Sequence, residues 1–269
     1  MNYKSEDDFN PQQDLINKIA ETAVSSQIES AEKIDVEIDS GILQLVQGKS
    51  KSLNISGERI IAFKDIQLEQ LDITCNNLSL NLTQAILGKI YFEQPGDFQV
   101  KLILTQADCD RLLNSEYVKI LLQNLPLNIA HHSATFWIEQ AEAELGDNSK
   151  ITLLATIVLV REQKIKKAKF QIALQLQQQG AAIKFGGGQY LEEEGFDLDE
   201  TVALMSKISD LLYLRHFSNS DLSFDVTHLE IKNQQLHLSG EARVKKLPDS
   251  IDQSIKSVAS KINNSEINN

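Results

Sequence analysis

Residues 170–176 read Phe170-Gln171-Ile172-Ala173-Leu174-Gln175-Leu176. In an extended chain Phe170, Ile172, Leu174 and Leu176 share one side while Gln171, Ala173 and Gln175 share the other, the period-two pattern of a half-buried antiparallel strand. The alternation recurs upstream, where Leu78, Leu80 and Leu82 are separated by Ser79 and Asn81, and where Val100 and Leu102 flank Lys101 ahead of Leu104. A sheet that is apolar on one face must pack on a second layer or enclose something. Aromatic residues make up only 6% of the chain, so an aliphatic cavity is a natural outcome. Such a pattern favours binding over catalysis.

Working outward from these strands, Asn10, Pro11 and Gln13 form a helix start, with a side-chain cap, a proline suited to the first helical position and a capping-box glutamine. Leu15, Ile16, Ile19, Ala20, Ala23, Val24, Ile28, Ala31 and Ile34 follow at helical spacing. They predict a helix of about 22 residues, about 33 Å long, laid along a sheet. Strand patterns continue through Val36–Ile38, Leu43–Leu45, Leu53–Ile55, Ile66–Leu68, Leu71–Ile73 and Leu78–Leu82, punctuated by Gly41, Gly48, Gly57 and Asn76-Asn77. A turn of helix over Thr83–Leu87 and a loop through Pro95-Gly96 lead to a strand over Phe98–Leu104. Thr105, with Asp108 three residues on, caps a first short helix, and Ser115 opens a second. Strands follow over Ala134–Leu145, Ile151–Val160, Ile165–Gln177 and Ala181–Gln189. Asp197 caps a helix over Leu198–Tyr213, and strands Leu222–Ile231 and Gln235–Val244 turn at Asn233-Gln234. The order predicts an α+β fold with antiparallel sheets. Residues 1–9 read as a polar, disordered tail, 10–247 as one domain, and 248–269 as an amphipathic helix with a polar end.

The chain has 269 residues and a formal charge of −12. That balance disfavours nucleic acid, which is held by Lys and Arg on phosphate, and weakens simple adhesion to anionic membranes. Lys164, Lys166, Lys167 and Lys169 form the one dense basic run and read as the solvated face and turn of a hairpin. No stretch reaches the roughly 18 uninterrupted apolar residues of a membrane span. Met1–Gln13 has no apolar core of a secretory signal. The expected location is cytoplasmic, compatible with peripheral contact on a membrane.

Candidate chemistry is sparse. Cys75 and Cys109 lie in a strand and a helix pattern with no CxxC, which argues against a disulfide scaffold and a thiolate metal site. His131, His132, His216, His228 and His237 show no HExxH spacing, so no metal ligand is assigned. Glu192, Glu193 and Glu194 read as a solvated loop ahead of a helix. Gly186–Gly188 lacks the Lys-Ser/Thr of a phosphate loop and reads as a bulge or tight turn. No GxSxG occurs. No catalytic residue, cofactor or enzymatic activity is expected.

Leu78–Lys89, LSLNLTQAILGK, followed by Gly96–Val118, GDFQVKLILTQADCDRLLNSEYV, resembles the LmeA-like phospholipid-binding family, especially its cyanobacterial members. The shared features are a Leu-x-Leu strand, a short helix closing in Gly-Lys, and a strand running into Leu-Thr-x-x-Asp and a helix. The likeness extends over approximately residues 12–245. It implies a fold like that of tubular lipid-binding domains, in which strongly curved antiparallel sheets wrap a long N-terminal helix around an apolar channel. It also implies binding, with transfer as an extension, of phospholipid or another acyl lipid such as a glycolipid. An aliphatic lining could hold such chains, since each buried methylene contributes about 0.8 kcal/mol. The candidate lining residues are Ile19, Val24, Leu80, Leu82, Leu102, Leu104, Leu153, Ile157, Ile172, Leu174, Phe224 and Val226. The competing reading is a structural or protein-interaction module whose core is filled by its own side chains.

Overall fold

The computed structural model describes residues 17, 21, 28–39, 49–62, 66–79, 91–147, 149–176, 183–191, 195–212, 216–218 and 222–246. In chain order these form β1 (Lys33–Asp39), β2 (Lys49–Ala62), β3 (Ile66–Ser79), β4 (Tyr91–Thr105), α1 (Gln106–Asn114), α2 (Glu116–Leu121), β5 (Leu125–Ile129), β6 (His132–Gly146), β7 (Lys150–Arg161), β8 (Lys164–Leu176), β9 (Ile183–Tyr190), α3 (Leu198–Leu212), β10 (His216–Ser218), β11 (Leu222–Lys232) and β12 (Gln235–Lys246). One sheet has seven strands in the order β1-β2-β3-β4-β12-β11-β10, and the other has five in the order β5-β6-β7-β8-β9. Register shifts in β6, β9, β11 and β12 mark bulges, which bend and curl antiparallel sheets.

Strands take up 71% of the described residues, and the three helices are short. This corrects the expected α+β fold of a long N-terminal helix wrapped by curved sheets. Of the segment from Asn10 to Ile34, Asn17 and Glu21 are helical, but Ser30 already bridges Ile61 and Ile34 pairs with Gly57 inside β1. Ile34 closes the helical spacing but also opens the strand alternation Ile34, Val36, Ile38, and the free edge of β2 decides in favour of the ladder. Ile28 and Glu29, also expected to be helical, lie in a bend, and the rest of that helix, residues 10–16, 18–20 and 22–27, lies outside the described residues, as do Leu43, Leu45, Thr83–Leu87, Glu192–Glu194, the tail 1–9 and the helix expected after residue 248.

Two further expectations change. The segments Ile66–Leu68, Leu71–Ile73 and Leu78 belong to one strand, β3, because its ladder to β2 keeps one register from Ala62↔Ile66 to Lys49↔Ser79, past the left-handed φ of 57° at Asn77. Pro95-Gly96 lies within β4 rather than in a loop. The ladder to β12 shifts register between Gly96 and Tyr91, so Pro95 falls in an irregular stretch, the setting a strand proline tolerates.

The expected turn at Asn233-Gln234 is present, with φ of 51° and 60°. Ala130-His131 and Glu162-Gln163 make two further two-residue hairpin turns with both φ positive, the geometry whose twist matches the flanking strands. Gly186–Gly188 is a bulge: Gly187 pairs with Ala173 at φ 126°, and the register then slips by one residue.

The Leu-Thr-x-x-Asp motif is a capping box. Asp108 N–H donates to Thr105 Oγ1 (3.2 Å) while Thr105 N–H donates to Asp108 Oδ2 (2.9 Å), fixing where β4 ends and α1 begins. That placement lets α1 close an open edge. β5 covers β6 only over 132–136. Beyond it, Ala141 N–H donates to Asn114 Oδ1 (3.1 Å), Ala143 N–H to Asp110 Oδ1 (2.6 Å) and Leu145 N–H to Gln106 Oε1 (3.4 Å). Residues 106, 110 and 114 recur every four positions on one helix face and serve alternate amides of a strand, in place of a neighbouring strand.

The main core lies on the inner face of the five-stranded sheet. Phe136, Ile157, Leu159, Phe170, Ile172 and Leu174 pack there beneath Cys109 of α1 and Leu204 and Ile208 of α3. Leu68, Leu104, Leu229, Ile231 and Leu236 extend the same cluster onto the seven-stranded sheet, so the two sheets share one hydrophobic interior.

Candidate functional site

The seven-stranded sheet carries an unbroken apolar face. One cross-strand row runs Ile38, Leu53, Cys75, Phe98, Ala242, Phe224; the next runs Val36, Ile55, Ile73, Val100, Gly240, Val226; a third runs Ile34, Gly57, Leu71, Leu102, Leu238, Leu229. Behind these rows the opposite face is polar, with Glu37, Asn54, Thr74, Gln99, Glu241 and Asp225 in one row and Asp35, Ser56, Asp72, Lys101, Ser239 and His228 in the next. Alternation alone produces this division once the register is set.

The apolar face is not evenly buried. At one end Cys75, Leu78, Phe92, Ala242 and Val244 form a second packed cluster with Phe98 and Phe224, and the Phe92 and Phe98 rings lie 5.7 Å apart. At the other end Leu104 joins the main core. Between them Ile55, Leu71, Ile73, Leu102, Val226 and Leu238 are half-buried and belong to neither cluster. They form an aliphatic band crossing β2, β3, β4, β12 and β11, four interstrand spacings or about 19 Å wide. Gly240 is required within it: a Cβ there would lie 2.6 Å from the Phe224 ring and 2.8 Å from the Asp225 carbonyl oxygen.

The twelve lining candidates separate. Leu102 and Val226 lie in the band and Phe224 at its rim. Leu104, Ile157, Ile172 and Leu174 are buried in the main core, with Leu153 packed against it. Ile19, Val24, Leu80 and Leu82 lie outside the described residues. Sequence reasoning missed Ile55, Leu71, Ile73 and Leu238. Their alternation was legible, but the long return that seats β12 beside β4 joins them, and no local signal encodes that pairing.

The polar clusters have structural roles. On the inner face of β8, Lys166 Nζ donates to both Glu200 carboxylate oxygens (2.7 and 2.6 Å), and Arg161 lies 3.9 Å away. Glu200 is also the third residue of a capping box: its N–H donates to Asp197 Oδ1 (2.9 Å), and it accepts from Asp197 N–H (3.0 Å). Lys166 is held above the ordinary lysine range, first by its hydrogen bonds to Glu200. Asp197 is held below the carboxylate range, first by the Glu200 N–H. The basic run is therefore not wholly solvated, because Lys166 points inward to a carboxylate only 2% exposed.

Cys75 and Cys109 are free and buried. Burial, with Asp108 and Asp110 adjacent, pushes the Cys109 thiol up to about 12, and burial beside Asp97 raises Cys75. His131 sits in a hairpin turn, and His132 Nδ1 lies 3.5 Å from Glu162. Among the described residues no group of three His, Cys, Asp or Glu side chains could hold a metal ion, and no helix is long and apolar enough to cross a membrane.

No curated protein and no solved structure matches the chain. The family model of LmeA-like phospholipid-binding proteins matches residues 13–241, a span that takes in the five-stranded sheet, the capping box, the apolar band and all of the seven-stranded sheet except the end of β12, and the chain belongs to that family.

Proposed function

We propose that this chain binds the acyl chains of a phospholipid or glycolipid along the aliphatic band of the seven-stranded sheet, without catalysis, and transfers them at membranes. The supporting observation is the run of Ile55, Leu71, Ile73, Leu102, Val226 and Leu238, half-buried between two packed clusters, with no polar side chain in its rows. Exposed to water such a band is unfavourable, whereas each methylene laid on it and removed from water contributes about 0.8 kcal/mol. Leu102, Phe224 and Val226 are the lining candidates retained here. The LSLNLTQAILGK segment supports a place among the cyanobacterial members.

The test is gentle mass spectrometry of the natively purified protein, with solvent extraction of any lipid carried. A stoichiometric acyl lipid, depleted in Leu102→Trp and Val226→Trp variants, is the expected result. A lipid-free protein that also takes up no fluorescent phospholipid from vesicles would leave the interaction-module reading in its place.

A further inference from the structure

A cavity of about 240 Å³ lies between the β7–β8 hairpin and the start of α3, and every side chain lining it is charged except Leu159. Arg161 and Lys164 are direct partners in the ladder that ends at the Glu162-Gln163 turn, so their side chains leave the same face of the sheet, beside the Leu159–Lys166 pair. Like charges directly opposite each other across strands repel. An anion held by both would offset that repulsion.

The carboxylates at the cavity are already engaged. Glu200 accepts from Lys166 through both oxygens (2.7 and 2.6 Å). Asp197 lies 3.5 Å from the same ammonium and accepts from the Glu200 N–H, and Glu162 lies 3.5 Å from His132 Nδ1. Arg161 and Lys164 differ. Among the described residues neither side chain makes a hydrogen bond, Lys164 has no ion-pair partner, and the carboxylate oxygen nearest Arg161, Glu200 Oε1, is 3.9 Å away. The Arg161 side chain is 25% exposed and none of its nitrogens is sealed from solvent, so its donors open on the cavity it lines. Formal charge there balances, three cations against three carboxylates. What stays unfilled is hydrogen-bonding capacity, the donors of one guanidinium and one ammonium.

A ligand for this cavity must therefore bring acceptor oxygens. The two oxygens of a carboxylate are both taken up by a guanidinium fork. A tetrahedral phosphate fills the fork and keeps oxygens for the Lys164 ammonium. At about eight times the roughly 30 Å³ share of one water, the cavity has room for a phosphate with a short polar substituent. To an acyl chain it offers only Leu159.

We propose that Arg161 and Lys164 form a binding site for a phosphate group, carried either by a lipid headgroup or by a small free phosphate ester. The site lies on the other sheet from the aliphatic band and goes beyond the acyl-binding reading, so the two can fail separately.

The experiment titrates the full chain, purified in phosphate-free buffer, with inorganic phosphate and with glycerol phosphate, read by calorimetry and phosphorus NMR, with acetate as the carboxylate control. Saturable binding of glycerol phosphate is expected, weakened by roughly tenfold or more in Arg161→Gln through loss of charged hydrogen bonds. Arg161→Lys keeps the charge without the fork and should recover only part of it. Lys164→Gln should weaken binding severalfold, and because Lys164 is exposed this variant keeps the fold even if an Arg161 variant does not. Lys150→Gln, at the opposite end of β7, should change nothing.

Lipid extracted from natively purified Arg161→Gln separates the two sources. A shift from phospholipid to phosphate-free lipid, with acyl content retained, identifies a headgroup; unchanged lipid with weakened glycerol phosphate binding identifies a free ester. Binding of glycerol phosphate by a chain that carries no lipid would sustain this site and refute the acyl-binding reading. The site is overturned if neither phosphate compound binds at millimolar concentration and the lipid of Arg161→Gln is unchanged, if Arg161→Gln and Lys164→Gln both bind as the wild type does, or if acetate binds as tightly as glycerol phosphate.

Discussion

Lys166→Met is expected to destabilise the fold by about 3 kcal/mol, the low end of the cost of stranding one member of a buried ion pair. Lys166 makes two hydrogen bonds to a Glu200 carboxylate that is 2% exposed, while its own side chain is 42% exposed. Without the ammonium, the buried Glu200 carboxylate is left with the Asp197 N–H at 3.0 Å and the Arg161 guanidinium at 3.9 Å. Those two partners are why the low end applies. The converse change is milder. In Glu200→Gln the amide oxygen can still accept from Asp197 N–H, and Lys166 can turn to solvent, so about 1 kcal/mol is expected, the net worth of a typical hydrogen bond. Urea unfolding followed by Trp137 fluorescence reads both. If Lys166→Met costs no more than Glu200→Gln, the carboxylate is not desolvated and the pair is worth only the roughly 0–1 kcal/mol of a surface ion pair.

Asp110→Ala removes the acceptor of the Ala143 N–H at 2.6 Å and reopens the β6 edge; a loss of about 1–2 kcal/mol in urea unfolding is expected. Neither thiol should react with a disulfide reagent at pH 8 in the native state, since both are buried and raised, whereas both should react in denaturant; native modification of Cys109 would contradict its burial. Asp197 and Glu230 are held below the carboxylate range, Asp197 first by the Glu200 N–H and Glu230 first by Lys232, so the unfolded chain binds more protons at acid pH. Their contribution is complete above an unfolded value of about 4 and is lost as pH falls through the lower folded values. Lys166, being raised, contributes fully below about 10.4 and loses that contribution only as pH rises beyond it. A urea midpoint that holds steady well below pH 4 would contradict the carboxylate assignments.

What the sequence determined by itself was local. The alternation at 170–176 and 100–104, the Thr105–Asp108 capping box, the Ser115 and Asp197 helix starts, and the Asn233-Gln234 turn all appear where the residues predict them, because each depends on contacts within a few residues. The resemblance carried by LSLNLTQAILGK and the Leu-Thr-x-x-Asp helix start likewise pointed to the right family. Tertiary structure decided what those elements do together. Leu104 and Leu102 are two residues apart on one strand face, yet one is buried in the main core and the other lies in the half-buried band outside both clusters. Ile34 reads equally as a helix end or a strand start until β2 offers an unpaired edge. Lys166 and Lys167 are adjacent and alike in sequence, but strand alternation turns the first toward Glu200 and leaves the second on the outer face. The band itself exists only because β12 returns from the far end of the chain to pair with β4, a contact set by burial across the whole molecule rather than by any residue near it.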